Sequence, residues 1–178
     1  AIGDQVKADA PATISALIDK GITPWLVTGD NEESAAAIAR TVGIKGEHVI
    51  ARALPEEKLA RVNALKAAGH TVLMIGDGIN DAAALAAADL SMAMGTGTDT
   101  AISSADITLM RPELMSAVDA LNLSKRTLTT IKSNLGWAFA YNVIGLPIAA
   151  AGLLTPMYAA AAMAVSSLFV VTNSLRIK

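Results

Sequence analysis

Six consecutive residues, Gly76-Asp77-Gly78-Ile79-Asn80-Asp81, put two carboxylates and an amide into one short turn. Glycines let a backbone turn sharply and leave room for a ligand. The carboxylates and the amide can share one face, and hard oxygen ligands of this kind suit Mg²⁺ beside a phosphate oxygen. A bare Asp-Gly pair is an ordinary turn; the whole block after a buried strand is a metal-site candidate. Thr28-Gly29-Asp30 is a weaker signal, since the same three residues serve as a capping turn. Its hydroxyl and backbone N–H groups could also hold a phosphoryl oxygen at a helix N-terminus. Lys58 falls in the first turn of a helix, where a cation opposes the helix dipole, and that placement points either to a solvated surface charge or to a phosphate partner.

These groups need elements to hold them. Asp9 and Pro11 open a helical pattern carrying Ile14, Leu17 and Ile18, closed by Gly21. A strand is expected over Ile22–Val27, with Pro24 as an irregularity. Asn31 caps a helix through Val42 that Gly43 ends. A short strand follows over His48–Ala51, then a helix from Pro55 to about Gly69 and a β-branched strand over Thr71–Ile75. A helix over Ala82–Ala88, strands at Leu90–Met94 and Ile107–Leu109 and a helix near Thr98–Ser104 complete the series. Strands alternating with short helices imply an α/β domain on a parallel sheet, with ligands bound beyond the carboxyl ends of the strands. Both Thr28–Asp30 and Gly76–Asp81 fall at such ends.

The remaining third of the chain is different. An amphipathic helix over residues 113–133 leads into a stretch, Leu135 to Leu175, with no Asp, Glu, Lys or Arg. That length suits two membrane spans, about 134–154 and 157–175, turning at Thr155-Pro156. Lys125, Arg126 and Lys132 before the hairpin, and Arg176 and Lys178 after it, place both ends and the α/β domain in the cytoplasm. The N-terminal Ala1-Ile2-Gly3-Asp4 shows no leader pattern. Of 178 residues, 53% are hydrophobic and 3% aromatic; the net charge of −2 gives no sign of a nucleic-acid partner, and without cysteine there is neither a disulfide nor a thiolate ligand.

Thr28-Gly29-Asp30, Pro55-x-x-Lys58, Gly76–Asp81 with Ala82–Leu85, and Met94-Gly95-Thr96-Gly97-Thr98-Asp99 stand in an order and spacing that resemble the haloacid-dehalogenase-like phosphorylation domain of P-type ATPases. The resemblance implies a partial phosphorylation domain of Rossmann type over residues 1–112, followed by a two-helix transmembrane hairpin over 134–178. It implies ATP and Mg²⁺ as cofactors. Thr28, Gly29 and Lys58 would attend the phosphoryl group, Asp30 the nucleotide side of the cleft, Asp77 and Asp81 the magnesium ion, and Asn80 the polar shell around it. The family's phosphorylated aspartate, in Asp-Lys-Thr-Gly-Thr, has no counterpart here. The chain is therefore expected to be part of a longer multi-pass membrane protein of the plasma (inner) membrane. Its partners would be the nucleotide-binding and actuator domains, the other membrane helices, lipid, and a copper chaperone as a candidate donor.

Within the hairpin, Tyr141-Asn142 and Met163-x-x-Ser166-Ser167 are polar or soft residues where lipid-facing chains would be apolar. Small residues and serines glue spans together, and methionine fills gaps; a soft thioether also selects Cu⁺. The same residues resemble the signature of the monovalent-copper branch, which implies a Cu⁺ site of Tyr141, Asn142, Met163 and Ser167 and ATP-driven Cu⁺ export by the parent protein, with Ag⁺ not separated from Cu⁺. A divalent, zinc-type pump would be expected to carry a charge in the last span. A membrane-anchored phosphatase of the same superfamily would need its own nucleophilic aspartate, and the intact acidic turn argues against a non-catalytic tethered module.

Overall fold

The structure is a computed structural model and describes residues 6–176; Ala1–Asp4 and Lys178, read above for a leader and for charge, lie outside the described residues. It divides into two compact units, residues 1–118 and 119–178.

In the first unit, α1 (Ala10–Asp19) buries Ile14 and Leu17 as their spacing implies, together with Ala10 and Thr13, whereas Ile18, expected on the same stripe, is exposed. Asp9 occupies the N-cap position in a helical conformation, but its side chain caps nothing there. Its Oδ2 accepts the Met115 N–H at 2.8 Å instead, fixing the start of the helix near residue 113. Strand β1 (Leu26–Val27) is much shorter than Ile22–Val27, because Pro24 has no N–H to contribute to a ladder. Helix α2 (Glu32–Val42) has both expected caps: Asn31 Oδ1 accepts the Ser34 N–H at 2.9 Å, and Gly43 takes φ 83°.

His48 ends a 3₁₀ turn and only Val49–Ile50 form β2. Helix α3 (Pro55–Ala67) is opened by the Leu54 N–H donating to Glu57 Oε2 at 2.8 Å. Strand β3 (Leu73–Gly76) leads through a 3₁₀ turn at Ile79–Asp81 into α4 (Ala82–Ala87). Then come β4 (Leu90–Met94), α5 (Asp99–Ser103) and β5 (Ile107–Leu109). The pairing is parallel throughout, but in two sheets: β1 with β2, and β3-β4-β5. The core is alanine-rich, with Ala35, Ala84, Ala93 and Ala101 fully buried around Leu85 and Met92.

At the starts of the strands, two aspartates tie neighbours together. Asp89 accepts the Val72 N–H at 2.9 Å and lies 3.2 Å from Lys66 Nζ. Asp106 Oδ2 accepts both the N–H and the hydroxyl of buried Ser91, at 2.9 and 2.8 Å. These donors hold both carboxyls below the ordinary aspartate value, Val72 and then Lys66 acting on Asp89, and Ser91 on Asp106.

Helix α6 (Met115–Ala150) runs through the boundary expected near residue 133, and α7 (Pro156–Ser174) follows, capped by the Thr155 hydroxyl. Among the described residues α7 is the one helix long and apolar enough to cross a membrane. The apolar half of α6 falls short of that measure, carrying Asn134, Trp137, Tyr141, Asn142 and Pro147. Within the second unit the two helices touch at Asn134 with Asn173 and Ser174 (2.8 and 3.0 Å) and at Trp137 with Phe169 (ring centroids 5.0 Å). The less exposed residues form the seam between them: Asn134, Ala138, Tyr141 and Gly145 on α6, and Ala159, Ala162, Ser166, Val170 and Asn173 on α7. Small side chains at helical spacing allow this close approach.

Candidate functional site

Two polar turns of the first unit leave the carboxyl ends of β1 and β3. Leaving β1, the Thr28 N–H donates to Ile50 O at 2.9 Å, and the Thr28 carbonyl accepts from Ala53 N–H at 2.9 Å. The Arg52 N–H reaches the Asp30 carbonyl at 2.7 Å, with Arg52 in the left-handed region at φ 53°. A non-glycine residue there is uncommon, and no residue pattern announced it. The Thr28 hydroxyl donates to Asp30 Oδ2 at 2.9 Å and accepts the Asp30 N–H at 3.2 Å. The triplet is thus a closed local turn, with Gly29 and Asp30 exposed.

Ala53 hands over directly to α3, whose first turn carries Lys58. Its Nζ meets Asp81 Oδ1 at 2.7 Å, with the two side chains 14% and 11% exposed. The cation that opposed the α3 dipole is therefore held in place by a carboxylate of the acidic turn. Gly76 makes this possible: a Cβ there would stand 2.8 Å from the Asp81 Cβ and 2.9 Å from Oδ2.

Asp77 and Asn80 are exposed at the same turn, and the Asp77 carboxylate makes no hydrogen bond or ion pair among the described residues. Of the two aspartates expected at magnesium, Asp81 thus has Oδ1 committed to Lys58, whereas both oxygens of Asp77 are available. This fits a Mg²⁺ ion that keeps waters and takes one or two carboxylates with phosphate oxygens. It does not fit an all-protein cage, since no group of three or more His, Cys, Asp or Glu converges among the described residues. Thr28, Lys58, Asp81 and Asp77 are linked in sequence through Ala53, α3 and the acidic turn. His48, Trp25 and Arg61 form a stack that the residue pattern did not suggest, with Arg61 3.9 Å over the Trp25 ring and His48 4.6 Å from it.

The hairpin residues are divided. Tyr141 lies on the seam, on the side of Ser166, whereas Asn142, Met163 and Ser167 are exposed on other faces. Met163 is 62% exposed, and the Asn142 amide donates to its own helix, at Ala138 O, 2.7 Å away. Tyr141 and Asn142 do not both face Met163 and Ser167 across the hairpin, because adjacent helical residues point about 100° apart.

The first unit is thus a parallel α/β arrangement with an acidic turn after β3 and a lysine held beside it. A family model of haloacid dehalogenase-like hydrolases matches residues 1–89, and the chain belongs to that family. Over all 178 residues it is 53% identical to a copper-exporting P-type ATPase of Mycobacterium tuberculosis, of which it spans 23%. It is 52% identical over 175 residues, 98% of the chain, to a probable copper-importing P-type ATPase A of Enterococcus hirae, spanning 24% of that protein. Among solved structures, a zinc-transporting PIB-type ATPase in its E2.Pi state superposes with a TM-score of 0.87 at 36% identity, over 98% of this chain and 28% of that one. The chain thus spans about a quarter of the length of these relatives.

Proposed function

We propose that this chain is the phosphoryl-handling and last membrane-helix portion of an ATP-driven pump that exports Cu⁺ through an aspartyl-phosphate cycle. The observation that carries this reading is a single chain with both a phosphate-side turn, Asp77 free and Lys58 anchored, and a charge-free hairpin with Met163 and Ser167 on one open face. Asp77 would hold Mg²⁺, with Asn80 beside it; when bound, that ion offsets charge on the phosphate oxygens. Lys58, steered by Asp81, supplies a positive charge fixed before the phosphoryl group arrives, so little reorganisation accompanies transfer. Thr28 and its following N–H groups would orient the same group, with Asp30 holding the threonine hydroxyl in place. The carboxylate that accepts the phosphoryl group would come from elsewhere in the longer protein.

In the bilayer, Asn142, Met163 and Ser167 would meet helices outside this chain, with Tyr141 behind them at the hairpin seam. A thioether beside hydroxyl and amide oxygens favours a soft monovalent ion, so Ag⁺ would be a substrate as well. Export is chosen over import because four of the copper-pump relatives are named as exporters or probable exporters, although the E. hirae relative is named as a probable importer. The likeness to a zinc-transporting ATPase supports a second reading, a divalent pump. On either reading the protein is multi-pass, in the inner or plasma membrane, with the α/β unit in the cytoplasm. Its partners would be the nucleotide-binding and actuator domains, lipid, and a copper chaperone as donor. The test is metal-stimulated ATPase activity of the full parent protein with Cu⁺, Ag⁺ and Zn²⁺, for the wild type and Met163→Ala. Cu⁺ stimulation that Met163→Ala abolishes supports the copper pump; Zn²⁺-driven turnover indifferent to Met163 refutes it.

A further inference from the structure

The segment between β4 and α5, Gly95-Thr96-Gly97-Thr98, has no part in the function above, yet it is built against the acidic turn. A Cβ on Gly97 would stand 2.6 Å from the Asp77 carbonyl oxygen, 3.1 Å from the Asp77 Cα and 2.9 Å from the Met94 carbonyl oxygen. All three are backbone atoms, which cannot swing aside as the end of a side chain can. The next residue grips the same carbonyl: the Thr98 N–H donates to Asp77 O at 2.9 Å. The segment is itself tied down. Gly97 N–H closes a turn on Met94 O at 2.8 Å, and Gly95 N–H bonds Leu109 O at 2.7 Å. The Thr98 side chain caps α5 through the Ala101 N–H at 3.3 Å. Behind the segment stands β4, buried from Ser91 to Met94.

We propose that Gly97 and Thr98 are positioning residues for Asp77, acting from behind on its backbone while its carboxylate faces outward. The main chain at Asp77 is held at its carbonyl by the Thr98 hydrogen bond and by a close contact that only glycine permits. The direction in which the carboxylate leaves the turn is set by these two constraints. Gly76 serves the other half of the site in the same way, by admitting the Asp81 side chain that steers Lys58. The acidic turn therefore depends on glycines from two different strand ends, one in its own sequence and one about twenty residues later. This inference rests on the reading of Asp77 as the magnesium carboxylate. Relieving a 2.6 Å contact needs a shift of several tenths of an ångström, and misplacements approaching 1 Å cost up to about 10²-fold in positioned chemistry.

The test is amide NMR of the 178-residue chain in detergent, titrated with Mg²⁺ alone, comparing wild type with Gly97→Ala, Thr98→Pro, Thr98→Ala and Gly46→Ala. Thr98 has φ −74°, which proline adopts, so Thr98→Pro deletes the N–H, and Thr98→Ala controls for the lost cap. Gly46 has open space around it and controls for adding a methyl group. Gly97→Ala and Thr98→Pro are expected to move the Asp77 and Gly78 resonances and to weaken Mg²⁺ binding about tenfold. β4 amides should stay in place, Gly46→Ala should bind as wild type does, and Thr98→Ala, which keeps the N–H, should weaken binding less than Thr98→Pro. Mg²⁺ affinity within twofold of wild type in both Gly97→Ala and Thr98→Pro overturns the proposal. If the wild-type chain takes up no Mg²⁺, the reading of Asp77 as its ligand falls separately. The Asp77 and Gly78 resonances then decide the backing role: movement in Gly97→Ala supports it, and unmoved resonances overturn it.

Discussion

Removing the charge of Lys58 should destabilise the α/β unit far more than a surface lysine would. Lys58 Nζ and Asp81 Oδ1 are 2.7 Å apart, with 14% and 11% of their side chains exposed. At an effective dielectric of 20, unit charges at that separation attract by about 6 kcal/mol. Taking each ion out of water costs several kcal/mol, so the intact pair contributes little net stability. Breaking it is another matter. Lys58→Met keeps the aliphatic stem but leaves the Asp81 carboxylate buried without its partner, a loss of about 3–5 kcal/mol. Against a typical total of about 5–15 kcal/mol, that is a large fraction. Asp81→Asn added to Lys58→Met removes the stranded charge and should restore at least half of the loss. The assay is urea unfolding in detergent, followed by fluorescence in a Trp137→Phe background. Trp25, the other of the two tryptophans, then reports the first unit alone. A cost for Lys58→Met below about 1 kcal/mol, the range of solvent-exposed pairs, would refute the reasoning, as would a double variant no more stable than the single one.

Two further outcomes use the same fluorescence assay. Asn31→Ala removes the acceptor for the Ser34 N–H at the start of α2 and should cost about 1 kcal/mol, while Asn31→Asp should cost little; equal losses would show that the cap is not the cause. Asp89 and Asp106 have folded pKa values below the ordinary value of about 3.9, so their contribution is fully present above that pH and is lost as the pH falls through the lower folded values. Melting temperatures measured from pH 7 to pH 3 should therefore fall as the pH drops below about 4. Asp89→Asn with Asp106→Asn should lower the melting temperature at neutral pH and flatten that drop, and an unchanged slope would exclude these two groups as its source.

Much of the α/β unit was legible in the residues because it rests on local rules. Asn31 and Gly43 cap α2 as their types require, β4 and β5 occupy the expected residues, and the acidic turn stands at the end of β3. Expectations fell short where a distant group competes for a local one. Asp9 looks like a helix cap, but Met115, more than a hundred residues away, takes its carboxylate. Lys58 looks misplaced against its helix dipole until Asp81 comes into contact with it. Tyr141 and Asn142 are neighbours in sequence, and only the packing of α6 on α7 separates the seam residue from the one on an open face.

By itself the sequence determined the order of strands and helices, the glycine-bounded acidic turn and the uncharged stretch after residue 134, because turn chemistry, caps and hydropathy act within a few residues. Only the tertiary structure decided that Asp81 is committed to Lys58 while Asp77 stays free, that the parallel strands form two sheets, and that Gly97 and Thr98 back the Asp77 carbonyl. The reason is physical: which oxygen stays available, and which glycine cannot be replaced, depends on atoms brought within 3 Å by chain segments that share no local pattern.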